Sequence, residues 1–159
     1  MNTQQLSVLK AAILAETNTT LVAARNNGDT GAMATWYNQD AAGPVKCWRN
    51  DISRTDLVEA TVENLALFDN LTQGKRDAWG QVQDAAPIDF NRNKYRSAPG
   101  KVWAATERDS ILTTYGIRNA SRAEVVIGGT DTTEGGVTAK KLNWQGVLSY
   151  TDVISALSQ

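Results

Sequence analysis

The chain has 159 residues, 42% of them hydrophobic and 21% charged, with 16 basic against 17 acidic side chains for a net charge of −1. That length fits one domain, or one domain with an arm, and the near-zero charge excludes a chain that binds nucleic acid over its whole surface. With no histidine and one cysteine, the commonest general base and the usual zinc sites are missing and no intrachain disulfide can form.

The first apolar residues, Leu6, Leu9, Ile13 and Leu14, lie on one helical stripe behind a capping Thr3. They predict a helix over 4–16, not a signal peptide, because no charged segment precedes them. A second helix runs from Thr19 to Asn26 and stops at Asn27-Gly28. Asp29 or Thr30 caps a third, through Met33, Trp36 and Tyr37. Val45 to Trp48 reads as a short extended piece. Cys47 within it reads as a buried structural thiol, because no histidine exists to activate it as a nucleophile.

Ser53 and Asp56 have the spacing of a capping box, followed by an apolar face of Leu57, Val58, Val62, Leu65 and Phe68. The next helix, Asn70 to Ala85, holds Ala78, Trp79 and Val82 at helical spacing, with Trp79 as a core anchor. Gly74 and Gly80 inside it suggest close backbone approach, and Ala86-Pro87 ends it. The most basic piece is Asn91 to Lys101. Its Arg92, Lys94, Arg96 and Lys101, with no acid between Phe90 and Thr106, suit either phosphate or an acidic partner, or a solvated loop. Thr106–Asp109 and Ser121–Glu124 then have capping-box spacing for two further helices, the first stopping at Gly116 and the second near residue 127.

Beyond this point the pattern changes. Gly129 to Gly136 reads as a flexible polar loop without the spacing of a nucleotide-binding loop. Val137–Lys140 and Leu142–Leu148 read as a short β-hairpin or extended arm, and Ser149 or Thr151 caps a last helix to Leu157. The expected architecture is therefore mainly α: a bundle of six to seven short helices over 1–127, and a Gly-rich loop, extended arm or hairpin and short helix over 128–159. Trp144 in the arm either anchors in another subunit or packs back on its own domain.

The carboxylates are scattered, with pairs such as Glu59/Glu63 on exposed helix faces, and no nucleophile elbow, kinase set or dinucleotide fingerprint occurs. An enzyme is not expected, and neither is a cofactor or a metal. No run approaches the ~20 apolar residues of a membrane span. Residues 1–70 carry five basic and eight acidic side chains, and residues 71–124 nine and six. Either complementary neighbouring subunits or ordinary solvated helix faces account for that asymmetry.

Asp69 to Gln83, DNLTQGKRDAWGQVQ, resembles a run in a set of small tailed-bacteriophage proteins, where a similar "DNLT-x-G-K" precedes a tryptophan helix. The likeness continues at Leu9–Ala15, at Trp48-Arg49, at the Ser121–Glu124 helix start and at Gly129-Thr130. It closes on Trp144 to Val153, WQGVLSYTDV, similar to the family's "EG-x-(I/V/L)-(S/T)-Y-x-D-V". The chain departs from the family at Gly80, where larger apolar residues are usual, and at Asp89-Phe90-Asn91, where the family has "(N/D)P(S/T)".

The resemblance implies a structural virion protein at the head-tail junction, assembled in the host cytoplasm. It would be a head-to-tail adaptor ring beneath the portal, with twelve subunits common in that family. Its partners would be other copies of itself, the portal and a tail or head-completion protein, with non-specific contact to packaged DNA and no membrane. On this reading Trp144, Val147, Leu148, Tyr150 and Val153 form a subunit or portal interface. Arg92, Lys94, Arg96 and Lys101 meet phosphate or an acidic partner. The rivals are a head decoration or tail completion protein, and a small DNA-binding regulator built on the basic run.

Overall fold

Local capping chemistry sets most helix starts in the structure, a computed structural model that describes residues 1–159. Asn2, rather than Thr3, caps α1 (Thr3–Ala15): its Oδ1 accepts from the Gln5 N–H at 2.9 Å, and Gln5 Oε1 accepts from the Asn2 N–H at 2.9 Å. Asn18 caps α2 (Thr19–Asn26) and Asp29 caps α3 (Thr30–Asn38). The Ser53/Asp56 box opens α4 (Arg54–Glu63); α5 (Leu65–Asp69) follows, and Thr72 caps α6 (Gln73–Asp84).

The basic run folds as two short helices, α7 (Asn93–Arg96) and α8 (Ala98–Val102). The expected Thr106/Asp109 box does not form; α9 (Ala105–Ile111) begins after Ala104 with no side-chain cap. It widens into a π-helical turn at Leu112–Gly116. There a Cβ on Gly116 would stand 2.9 Å from the Phe90 ring, so the close approach demands glycine. The Ser121/Glu124 and Ser149/Asp152 boxes open α10 (Arg122–Ile127) and α11 (Tyr150–Leu157). Gly74 and Gly80 face open space, so close backbone approach does not account for them.

The expectation of a mainly α bundle of six to seven helices is corrected by the sheet. The protein is a mixed α/β fold, 58% helical with 14% in extended pairing. It has eleven α-helical segments and strands β1 (Lys46–Trp48), β2 (Ile117–Asn119), β3 (Gly129–Glu134) and β4 (Val137–Leu142), in the order β2-β1-β4-β3. Gly129–Glu134 is a strand, where a flexible loop was expected. Its threonines are good strand formers, and Gly135-Gly136 supplies the tight turn, with Gly135 at φ +59. Across the hairpin the Thr133 and Thr138 hydroxyls lie 2.8 Å apart, and Lys140 pairs with Asp131 at 3.0 Å. β1 and β4 are parallel, with Cys47 opposite Lys140.

The chain divides into two compact units, and neither is the expected 1–127 or 128–159 segment. One comprises Met1–Val45, Asn119–Thr130 and Leu142–Gln159; the other comprises Lys46–Arg118 and Asp131–Lys141. The first is helical, with α11 packed on both α1 and α3. Its core holds Leu9, Ile13, Leu21, Met33, Tyr37, Leu148 and Val153. The second unit holds most of the sheet and α4 to α9. Its core gathers Trp48, Leu57, Trp79, Phe90, Trp103, Ile111 and Leu112 with Val137 and Ala139 of β4. Trp79 is fully buried and meets Trp103 edge-on, with centroids 5.6 Å apart.

Candidate interaction surfaces

The 143–149 segment is tied down at Asn143, Gly146 and Leu148. The Asn143 N–H donates to Gly128 O at 2.9 Å, and the Gly146 N–H to Glu124 Oε1 at 3.3 Å. Asn38 brackets Leu148, accepting from its N–H at 2.8 Å and donating to its carbonyl at 2.9 Å. Such paired backbone bonds hold a segment like a sheet edge holds a strand, so the expected extended arm is here an integral part of its unit.

The five residues expected at an interface differ in exposure. Leu148 and Val153 point into the core, at 3% and 0% exposure. Trp144 is half-buried against the same core. Val147 and Tyr150 stay outside, at 80% and 59% exposure, joined by Ile154 at 46%. At the head of α11, burial pushes the Asp152 carboxyl up, but bonds from the Ser149 N–H and hydroxyl outweigh it. The carboxyl is held below the usual carboxylate range. The helix start is therefore firmly set and the outward residues project from a rigid element.

α1, which packs against α11, exposes Val8 and Leu14. The exposed residues of the two helices are Thr3, Gln4, Ser7, Val8, Ala11, Leu14, Ala15, Tyr150, Thr151, Ile154 and Ser155, and none is charged. In a chain with 21% charged residues that is a marked local depletion, and charge depletion is the compositional sign of an interface core.

A second apolar surface lies on α4 and α5. The sequence placed Leu57, Val58, Val62, Leu65 and Phe68 on one buried face. The structure buries Leu57 and Ala60 and turns Val58, Val62, Leu65 and Leu67 outward, with Val62 at 64% and Leu65 at 52% exposure. The reason is Thr61. Its hydroxyl accepts the Trp79 indole N–H at 2.8 Å and a Gln83 amide N–H at 3.0 Å, so this side of α4 must face inward. Glu59 and Glu63 are exposed alongside the stripe, one helical turn apart. Burial and the nearby Glu63 push the Tyr115 hydroxyl up to about 12.

The basic run does not form a phosphate cradle. Arg96 is 5% exposed. Its Nη1 donates to Phe90 O at 3.0 Å, and its guanidinium lies over the Trp48 ring, 5.1 Å from the centroid. Arg92 pairs with Asp89 at 3.2 Å. Lys94 sits over the Tyr95 ring at 4.5 Å, and Lys101 is exposed. Of the four, Arg96 is thus a structural residue. Arg96→Ala is expected to destabilise the protein by about 2–3 kcal/mol, the scale of a charged buried hydrogen bond plus a cation–π contact. Chemical denaturation reads this directly. Unchanged stability with weakened DNA binding would restore the phosphate role.

The helical unit also carries a cleft of about 420 Å³ lined by Trp36, Tyr37, Arg122, Val125 and Val126 among others. The Arg122 guanidinium stacks 3.7 Å over Trp36 and donates to Trp36 O at 3.2 Å and Gln39 Oε1 at 2.7 Å. Burial and then Glu16 push the Tyr37 hydroxyl up to about 12, against the pull of Arg25. Tyr37 therefore stays protonated at neutral pH. No three His, Cys, Asp or Glu side chains converge to hold a metal ion.

The chain matches no family model, no curated protein and no solved structure.

Proposed function

We propose that the protein is a structural virion component, a head-to-tail adaptor whose copies form a ring beneath the portal and join capsid to tail. The observation that carries the reading is where the large apolar side chains are left over. All nine that remain exposed lie on two surfaces, α1 with the α11 region and α4 with α5. Apolar surface left uncovered on a folded chain marks contact with other proteins. A closed ring of identical subunits needs two different faces on each subunit, because every copy touches one neighbour on each side. The resemblance of Asp69–Gln83 and Trp144–Val153 to tailed-phage connector proteins points the assembly to the head-tail junction. The exposed Lys94 and Lys101 supply non-specific contact with packaged DNA in this reading.

The test is attachment to portal-bearing, tail-free particles, followed by quantification of copies per particle. About a dozen copies, lost when the portal is absent, is the expected result for a closed ring on one vertex. Hundreds of copies would make the protein a head decoration, and none would remove it from the head altogether.

A further inference from the structure

We infer that the cleft beside Trp36 in the helical unit is a binding site for a monocarboxylate with an apolar body, its carboxylate held by the unused edge of the Arg122 guanidinium. The inference is independent of the ring reading and uses neither of the two apolar surfaces.

The cleft lies wholly within one unit, since every residue lining it falls in Met1–Val45 or Asn119–Thr130. Its volume of about 420 Å³ is that of a small-ligand site, for which about 300–1,000 Å³ is usual. The Arg122 guanidinium is fixed before any ligand arrives. It lies 3.7 Å from the Trp36 ring centroid, and Nη1 commits its two N–H groups to Trp36 O at 3.2 Å and Gln39 Oε1 at 2.7 Å. The Nε and Nη2 N–H groups bond to nothing in the protein. Nε and Nη2 together form one of the edges by which a guanidinium grips a carboxylate through two parallel hydrogen bonds, and a lysine has no equivalent of it.

Glu16 lines the same cleft but does not fill that role. Its Oε1 accepts from the Thr17 and Asn18 N–H groups at 2.9 and 3.0 Å, at the end of α1, and no ion pair joins it to Arg122. Glu16 does set the charge of the ligand. It and Arg25 both act on the Tyr37 hydroxyl in the cleft. With Arg25 and Arg122 against Glu16, a single carboxylate brings the local charge to neutrality, whereas a phosphate dianion would overshoot it. The remaining walls are Ala41, Ala42, Val125 and Val126 with the Trp36 and Tyr37 rings, so an apolar body, not a second charge, faces them.

The test is a nuclear magnetic resonance titration of the full chain with N-acetylphenylalanine, using its primary amide as the matched neutral probe. The Trp36 indole N–H, which has no acceptor in the protein, reports on the cleft. The acid is expected to shift that resonance and the Val125 and Val126 amides saturably. The neutral probe is expected to bind at least about tenfold more weakly, the loss that goes with a charged hydrogen bond. Arg122→Gln is expected to abolish the preference for the acid. That variant also gives up the bonds to Trp36 O and Gln39. Ala42→Trp, at an exposed loop position, therefore serves as the second variant: it blocks the cleft with Arg122 intact and is expected to lose binding while melting like the parent.

A short peptide ending in phenylalanine separates the two sources of such a carboxylate. Tighter binding than N-acetylphenylalanine assigns the cleft to a partner's C-terminus, and weaker binding assigns it to a free small molecule; either result upholds the site. Three results would overturn it: no saturable shift at about 10 mM acid, where even a ~1 mM contact is nearly filled, equal affinity for acid and amide, or acid binding that survives in Ala42→Trp. None of these bears on attachment to the portal, so the adaptor reading stands or falls separately.

Discussion

A chain ended after Gly135 is expected not to fold. The cut removes β4, an interior strand of the sheet paired to β1 on one side and β3 on the other, and so strips hydrogen bonds from both neighbours. It also takes Val137 and Ala139 out of one core and Leu148, Val153 and Ala156 out of the other. Each large aliphatic side chain is worth about 1.5–3 kcal/mol of burial, against a total stability of about 5–15 kcal/mol for a domain. The truncated protein should show no cooperative thermal transition and should expose its tryptophans to quenchers. A sharp melt with native-like helicity would mean that residues 136–159 are dispensable after all. The sequence taken alone suggests that outcome, since the same residues read as a separable arm.

Trp79→Ala is expected to cost about 3–5 kcal/mol, the range for removing a fully buried large aromatic side chain. Trp79 is 0% exposed, lies edge-on to Trp103, and donates its indole N–H to Thr61, which also serves Gln83. The alanine variant therefore opens a cavity and loses an aromatic contact. It also releases the constraint that keeps this side of α4 inward. Trp79→Phe keeps most of the volume and loses the N–H bond, so about 1–2 kcal/mol is expected. Urea midpoints at constant slope separate the two. Equal losses for alanine and phenylalanine would show that the Thr61 bond, and not the packing, is the main term.

These expectations show where local reading succeeds. The Ser53/Asp56, Ser121/Glu124 and Ser149 starts, the helix over Asn70–Ala85 and the burial of Trp79 all follow from contacts within a few residues or from simple apolar periodicity. A capping box is complete within four residues, so its signal is in the sequence itself. Local signals run out where the deciding partner is distant in the chain. The stretch that forms β3 reads as a loop because glycines at both ends outweigh its threonines, and its partner strand β4 begins right after the glycine turn. β1 lies within the extended piece expected over Val45–Trp48, but its partner is Lys140 in β4, and nothing near Cys47 announces that pairing.

Of the residues left exposed on the candidate surfaces, the sequence singles out Val147 and Tyr150 but not Ile154, Leu14 or the α4–α5 stripe. A helix with apolar residues on more than one side offers several faces for burial, and periodicity cannot choose among them. By itself the sequence determined the helix starts, the turn at Asn27-Gly28 and the buried place of Trp79, all through short-range bonding and composition. Tertiary structure alone decided three matters. It threaded one chain through two cores, withdrew Arg96 from solvent beneath the sheet residue Trp48, and turned Val58 and Val62 outward by using Thr61 inside. Each of those outcomes depends on a hydrogen bond or packing partner many residues away, whose free energy exists only once the whole unit has closed around it.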